Sequence, residues 1–283
     1  MARCLVTGHR GFIGSELYIQ LMNKGHEVLG LDKVEGEDIL DVLQKDNIKE
    51  KYLDFSPDYI FHLACIPRVA YSVENPVETM RNNVLAGSLV LNYAKQVKAA
   101  RVIYSGSSSV VGNGNGPSSP YALQKLVTEI ECKLYSDLYD LDTVTLRYFN
   151  VYSEIKTDGN PYATAVAKWK YCIENNLKPF ITGDGTQRRD MAYLNDVVSA
   201  NIFAMNYHDN FEGEVFDVGT GSNISLNEIK DIILKYHKNV EFDYVQPRAG
   251  DVMETKADMS KLAAAGWRPE MSILEGINLC FKK

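Results

Sequence analysis

The sequence predicts an α/β fold: a doubly wound parallel sheet followed by a smaller C-terminal α/β substrate lobe. Three observations predict it. Short apolar runs alternate with stretches of helical periodicity through residue 150. A glycine-rich turn, Thr7-Gly8-His9-Arg10-Gly11-Phe12-Ile13-Gly14, separates the first apolar run from the first helical stretch. Tyr121 and Lys125 stand four residues apart in a predicted helix, which puts both side chains on one face.

Cys4-Leu5-Val6 reads as a buried first strand ending at the glycine turn, and Phe12 to Lys24 as a helix stopping near Gly25. Glu27 to Asp32 is a second strand with an acid at its end, and Tyr59 to Ala64 a third. Val77 to Lys98 forms a long helix, Arg101 to Ser105 a fourth strand, Tyr121 to Tyr139 a helix and Thr143 to Arg147 a fifth strand. Such alternation implies parallel strands joined by right-handed crossovers. Beyond Asn150 the pattern loosens. Helices are expected over Ala163–Asn176, Asn195–Met205, Leu226–Tyr236 and Ile273–Phe281, with short strands at Pro179–Ile181, Glu214–Asp217 and Val240–Phe242. The expected division is a dinucleotide-binding domain over 1–150 and a mainly substrate-binding lobe over 151–283, with segments free to interleave with the sheet.

Composition narrows the function. The chain has 283 residues, 45% hydrophobic and 24% charged, as in ordinary globular enzymes. A net charge of −7 argues against binding a nucleic-acid backbone, yet leaves room for a few local arginines to hold a small anion. Five scattered cysteines without a C-x-x-C pair read as free thiols in a reducing compartment, with no zinc or other metal framework. The glycine turn begins at Thr7, which leaves no space for a signal peptide before it, and no apolar run is long enough to span a membrane. A cytoplasmic location is the expectation.

Gly8, Gly11 and Gly14 stand where a tight turn must bring backbone N–H groups to a pyrophosphate. Phe12 and Ile13 open the helix behind them. Asp32, at the end of the second strand, suits the adenosine ribose hydroxyls and repels a 2′-phosphate, favouring NAD over NADP. A strand-end cap is the alternative role for Asp32, and Arg10 is a mild counterweight because it could meet a phosphate. Lys125 beside Tyr121 is expected to lower the phenol pKa. Such a phenol takes a proton from a sugar hydroxyl while a nicotinamide takes the hydride.

Taken together, these motifs resemble the extended short-chain dehydrogenase/reductases, in particular the NAD-dependent nucleotide-sugar epimerase/dehydratase group, whose dinucleotide domain is of the Rossmann type. The resemblance covers nearly the whole chain. It rests on the glycine turn, Asp38-Ile39, His62-Leu63-Ala64, Asn82-Asn83, Ser105 to Gly112, the Tyr121/Lys125 pair, Arg147 to Tyr152, Gly183-Asp184-Gly185, Arg189-Asp190 and Arg248-Ala249-Gly250-Asp251. It implies Ser107 as the catalytic hydroxyl bridging substrate and Tyr121, Tyr121 as acid/base, and Lys125 on the nicotinamide ribose. It implies that Asp38 and Ile39 border the adenine. Leu63, Ala64, Asn83 and Ser105 would line the cofactor cleft, with Tyr148 and Phe149 flanking the nicotinamide. Ser108 would face the substrate. Asn150, Arg189 and Arg248 would hold its diphosphate, and Asp251 its nucleotide ribose.

Related dehydratases and decarboxylases carry acids just after the catalytic hydroxyl, and the epimerising reductases a cysteine; here Ser108 and Ser109 stand there. Hydride and proton transfer at C4 remain, which makes a UDP-sugar 4-epimerase the leading reading. A 4-dehydrogenase or 4-ketoreductase with exchangeable cofactor is the alternative, and a non-catalytic NAD-binding regulator ranks last. Thr255 matches the family's gatekeeper position beside the C2 substituent, and its small size favours an N-acetylhexosamine, with a plain hexose also open. Departures include the short 112–121 loop, the short stretch after Asp32, Val111, Ser153-Glu154 and Arg68. The resemblance also implies a homodimer formed by two helices from each copy, in which Leu85, Leu89, Leu126 and Ile130 belong either to that interface or to the monomer core.

Overall fold

The computed structural model describes residues 1–44, 47–112, 114–154, 164–247 and 252–282. Its central element is a six-stranded sheet built from β1 (Arg3–Thr7), β2 (Glu27–Leu31), β3 (Tyr59–His62), β4 (Arg101–Ser107), β5 (Thr143–Tyr148) and β6 (Glu214–Val218). The strand order is β6-β5-β4-β3-β1-β2. β1 runs parallel to both β2 and β3, with Leu5 opposite Leu29 and Ile60, and β3 runs parallel to β4. The order therefore reverses between β1 and β3, the place where doubly wound sheets bind ligands beyond their carboxyl ends.

The strands are apolar on both faces because helices cover both. Leu5, Leu31, Ile60 and Val102 form one core with Val90, Leu91 and Tyr93 of helix α2 (Ala86–Val97). Each fully buried aliphatic side chain contributes about 1.5–3 kcal/mol of transfer free energy. Helix α1 (Phe12–Asn23) buries Gly14, Leu17 and Leu21, and helix α3 (Pro120–Tyr139) buries one stripe running from Tyr121 to Cys132.

One stretch that the sequence left unassigned is filled in, and two features differ from the sequence expectation. Among its described residues, the stretch from Lys33 to Phe55 forms no long strand beside β2. It folds into a 3₁₀ turn (Lys33–Glu35), a four-residue helix (Ile39–Val42), a two-residue antiparallel hairpin and a short helix (Glu50–Phe55). Too few residues remain there for a strand plus its crossover, so β2 is the sheet margin. The expected helix 77–98 is broken into Pro76–Met80, a π-turn (Arg81–Leu85) and α2. The Thr128 hydroxyl donates to the Asn83 carbonyl at 3.3 Å, which draws that group away from the helical ladder. Glu214–Val218, expected among the short strands after Asn150, is the outer strand of the main sheet.

The chain divides into two compact units. The first holds residues 1–111, 115–147 and 198–216; the second holds 112–114, 148–197 and 217–283. In the second, strand Phe180–Thr182 pairs in parallel with Asp243–Val245 and Arg188–Arg189 pairs antiparallel with Ile224–Ser225. The strand expected at 240–242 begins instead at Asp243, since Phe242 turns its ring onto Trp169, centroids 5.1 Å apart. Helices Leu226–Tyr236 and Ile273–Phe281 each start with a full capping box, Ser225/Glu228 and Ser272/Glu275. Their buried faces pack Ile229, Ile233, Ile277 and Phe281 against Tyr152, Val166 and Trp169. Among the described residues no helix is long and apolar enough to cross a membrane.

Candidate active site

The glycine turn closes on itself through backbone contacts. The Gly8 N–H donates to the Leu31 carbonyl at 2.8 Å, and the Gly11 N–H to the Gly8 carbonyl at 2.9 Å. Gly8 has φ +73°, and a Cβ there would lie 2.8 Å from the Ala64 nitrogen. A Cβ on Gly14 would lie 2.1 Å from the Gly8 carbonyl oxygen. Only glycine permits this turn. Gly11 caps α1 without a side-chain hydrogen bond, so the N–H groups of Phe12, Ile13 and Gly14 are presented by backbone alone, as an anionic pyrophosphate requires. These features fit a dinucleotide.

Asp32 follows β2. Its carboxylate accepts the Arg10 N–H at 3.0 Å and the Val34 N–H at 3.0 Å, so it also caps the 3₁₀ turn. Asp38 caps the next helix through the Leu40 N–H and pairs with Lys33 at 2.8 Å. The Ile39 side chain is buried in the core with Leu31 and Tyr52.

At the end of β3 the Thr7 hydroxyl ties three groups together. It accepts the Ala64 N–H at 3.2 Å and shares a hydrogen bond with His62 Nδ1 at 2.8 Å. His62 is buried against the Tyr104 ring, and burial pushes its pKa down to about 3, with Lys125 adding to the effect. It is a neutral imidazole. Asn83, in the π-turn, accepts the Ile66 N–H at 2.7 Å and donates to Gln124 Oε1 at 2.8 Å. It holds the loop that follows Leu63 and Ala64, and links it to α3.

Helix α3 begins at Pro120 with Ser119 as its cap, and the Tyr121 N–H donates to Ser72 Oγ at 3.0 Å. Tyr121 and Lys125 are buried on the same face. Ser107 ends β4; its Oγ accepts the Ser109 N–H at 3.2 Å, lies 2.8 Å from Ser109 Oγ and hydrogen-bonds the Tyr121 phenol. Lys125 Nζ donates to the Ser105 carbonyl at 2.7 Å and stands 5.0 Å from the Tyr104 ring centroid. Ser108 opens the 3₁₀ turn that follows Ser107.

One electrostatic expectation is corrected here. The Tyr121 pKa lies above the ordinary phenol value, because burial raises it most and the neighbouring Cys65 adds to the rise; the Ser107 hydrogen bond alone opposes them. The Lys125 ammonium is instead engaged with the Ser105 carbonyl and the Tyr104 ring. Ser72, Cys65 and Tyr104 escaped the sequence reading. Ser72 lies 49 residues before Tyr121, and no local pattern announces such a contact.

The second unit carries the remaining predicted residues. Tyr148 and Phe149 are buried, and the Phe149 N–H donates to the Val218 carbonyl at 3.1 Å. Asn150, at φ +38°, donates its amide to the Asp190 carbonyl at 2.7 Å. Thr255 accepts the Asp190 N–H through both its carbonyl, at 2.9 Å, and its hydroxyl, at 3.2 Å. Asp190 is fully buried, and its carboxylate accepts the N–H groups of Thr220, Gly221 and Ala257 and the Thr220 hydroxyl. It thereby holds together the loops that carry Asn150, Arg189 and Thr255. Arg189 Nη1 donates to the Arg188 carbonyl at 2.9 Å. Arg248 and Asp251 lie outside the described residues.

The chain is similar to known proteins over nearly its whole length. The model of the NAD dependent epimerase/dehydratase family matches residues 4–219. A putative UDP-glucose 4-epimerase of Methanocaldococcus jannaschii is 33% identical, over 96% of this chain and 95% of its own length. Among solved structures, the UDP-N-acetylglucosamine 4-epimerase of Methanobrevibacter ruminantium, in complex with UDP-N-acetylmuramic acid, is similar with a TM-score of 0.87 at 29% identity, over 99% of this chain and 97% of that one. The UDP-glucuronic acid 4-epimerase of Bacillus cereus, in complex with UDP-glucuronic acid and NAD, gives 0.85 at 26% identity, over 99% and 98%. With the family's pattern running from the first strand of the sheet through its last, this chain belongs to the NAD-dependent epimerase/dehydratase family.

Proposed function

We propose that the protein catalyses NAD-dependent 4-epimerisation of a UDP-activated sugar. The observation that carries this reading is the Ser107–Tyr121 hydrogen bond beside Lys125, with neutral Ser108 and Ser109 following Ser107. Those hydroxyls cannot perform acid–base chemistry at C5 and C6 at neutral pH. The Tyr121 phenolate removes the C4 hydroxyl proton, and Ser107 aligns that hydroxyl. NAD, held by the glycine turn and Asp32, would supply the hydride chemistry at C4. Lys125 holds the nicotinamide ribose, and Tyr121 returns the proton. Gly8 through Gly14 and Asp32 hold the dinucleotide, with Asp38, Leu63, Ala64, Asn83, Ser105, Tyr148 and Phe149 shaping its surroundings. Asn150, Arg189, Arg248 and Asp251 hold the nucleotide diphosphate and ribose, so that the keto sugar turns about a fixed tether. Thr255 is small, which suits an N-acetylhexosamine, and relatives named for UDP-glucose and UDP-N-acetylglucosamine fit the same chemistry.

The helices α2 and α3 supply a dimer surface in this reading. Leu123, Ile130, Leu134 and Leu138 of α3 are exposed, as are Val77, Met80 and Leu85 on the segment leading into α2. Leu126 is half-buried, and Leu89 packs against the core. A cytoplasmic location suits the five free thiols.

The test is incubation of NAD-loaded protein with UDP-N-acetylglucosamine, UDP-glucose and UDP-glucuronate, followed by NMR and mass spectrometry. A C4 epimer at unchanged mass is expected, first from UDP-N-acetylglucosamine. A two-hydrogen mass change with stoichiometric cofactor turnover, and no epimer of any UDP-sugar, would replace epimerisation by the dehydrogenase reading.

A further inference from the structure

Two cations border Asp32, and each is tied to an acid. Arg10 begins where Asp32 ends, since its N–H donates to the Asp32 carboxylate. An arginine so placed is a natural partner for a ribose 2′-phosphate, and on its own would oppose the choice that Asp32 makes. Its guanidinium Nε instead lies 3.3 Å from Glu35 Oε1. The other Glu35 oxygen lies 3.3 Å from His9 Nε2. His9 is a fixed post: its ring is 7% exposed, tilted against Tyr18 with centroids 5.3 Å apart, and it fills the space that a Cβ on Gly30 would need, within 2.5 Å. Glu35 reaches this position because Asp32 caps its turn; the Val34 N–H binds the Asp32 carboxylate and the Glu35 N–H the Asp32 carbonyl. The second cation, Lys33, is held by Asp38 and Asn82.

We propose that Glu35 is a second determinant of cofactor choice, which anchors on His9 and keeps the Arg10 guanidinium from serving a 2′-phosphate. Asp32 repels that phosphate, and Glu35 removes the group that would reward it. The inference rests on Asp32 marking the ribose end of the dinucleotide site.

The experiment is titration calorimetry of nucleotide-stripped protein with NAD and NADP, for wild type, Glu35→Gln, Glu35→Ala, Arg10→Ala and the Glu35→Gln/Arg10→Ala double variant. Both Glu35 variants should bind NADP about tenfold more tightly, the yield of one charge-assisted pair, with NAD affinity nearly unchanged. The gain should vanish in the double variant. NADP affinity unaltered in both single variants, or a gain that survives loss of Arg10, would overturn the role of Glu35. Asp32→Ala tests the underlying reading separately: it should weaken NAD more than NADP, and equal weakening would remove Asp32 from the ribose site whatever the Glu35 variants do.

Discussion

Tyr121 and Lys125 are legible from spacing alone, but the charge state of the phenol is not. Spacing shows that the side chains share a helix face. It cannot show that Lys125 turns to the Ser105 carbonyl, or that burial holds Tyr121 in its neutral form. Tyr121→Phe should lower kcat by about a thousandfold, the usual worth of a positioned acid–base group, and leave NAD retention unchanged; coupled NMR assays and nucleotide absorbance check both. His62 makes a separate prediction. Its folded pKa, about 3, is far below the unfolded value near 6.5, so the unfolded chain binds the extra proton as pH falls. The neutral imidazole costs nothing above pH 6.5, and below it stability drops by about 1.4 kcal/mol per pH unit until the folded pKa is reached. His62→Asn keeps a polar partner for Thr7 and should flatten that slope in denaturant titrations between pH 6 and 4. Asp190 was read from the sequence only as half of an Arg-Asp pair; its four hydrogen bonds come from residues 30 to 67 positions away. Asp190→Asn turns an amide group toward N–H donors, at a cost of about 1–3 kcal/mol per unmet group and several degrees of Tm. The KM for the UDP-sugar should rise more than kcat falls.

At the scale of elements, apolar runs and glycine punctuation located every strand of the sheet's core, because burial on both faces leaves little choice of residue. They did not reveal the π-turn. That break depends on Thr128 reaching Asn83 from another helix, a tertiary contact with no local signature. Nor did they show the short turn and helices of 33–55, whose fragments are too short for periodicity to declare itself. The glycine turn is the most exacting element. Gly14→Ala puts a methyl group against the Gly8 carbonyl, backbone that cannot step aside. The variant should purify with its bound dinucleotide lost, read as a reduced ratio of absorbance at 260 to 280 nm.

For the whole molecule, the dimer proposed above would form on the outer face of α3. Its inner face buries Tyr121, Lys125, Thr128 and Cys132, while Leu123, Ile130, Leu134 and Leu138 occupy the outer one. Ile130→Glu should halve the mass measured by light scattering after size exclusion; an unchanged dimer would place the interface elsewhere. The sequence offered Leu85, Leu89, Leu126 and Ile130 as interface or core without deciding, because amphipathic period marks a face and not its partner.

The return of residues 198–216 to the sheet has a consequence for dissecting the chain. Arg101 and Asp142 form a buried ion pair within the first unit, and the Arg101 guanidinium also donates to the carbonyls of Ala204, Tyr207 and Asp209. Asp142 in turn accepts the N–H groups of Phe211 and Glu212. A polypeptide stopped at residue 150 would keep every residue of the dinucleotide turn and the Ser107, Tyr121 and Lys125 set, yet deprive the Arg101–Asp142 pair of the five backbone groups that hydrogen-bond it in the intact protein. Hydrogen bonds to charged groups are worth about 1.5–3 kcal/mol each, so losing these removes a large part of any domain's margin. The two units are therefore heritable only as one reading frame: neither can be lifted out, or swapped for a relative's, by a single crossover near the middle of the gene.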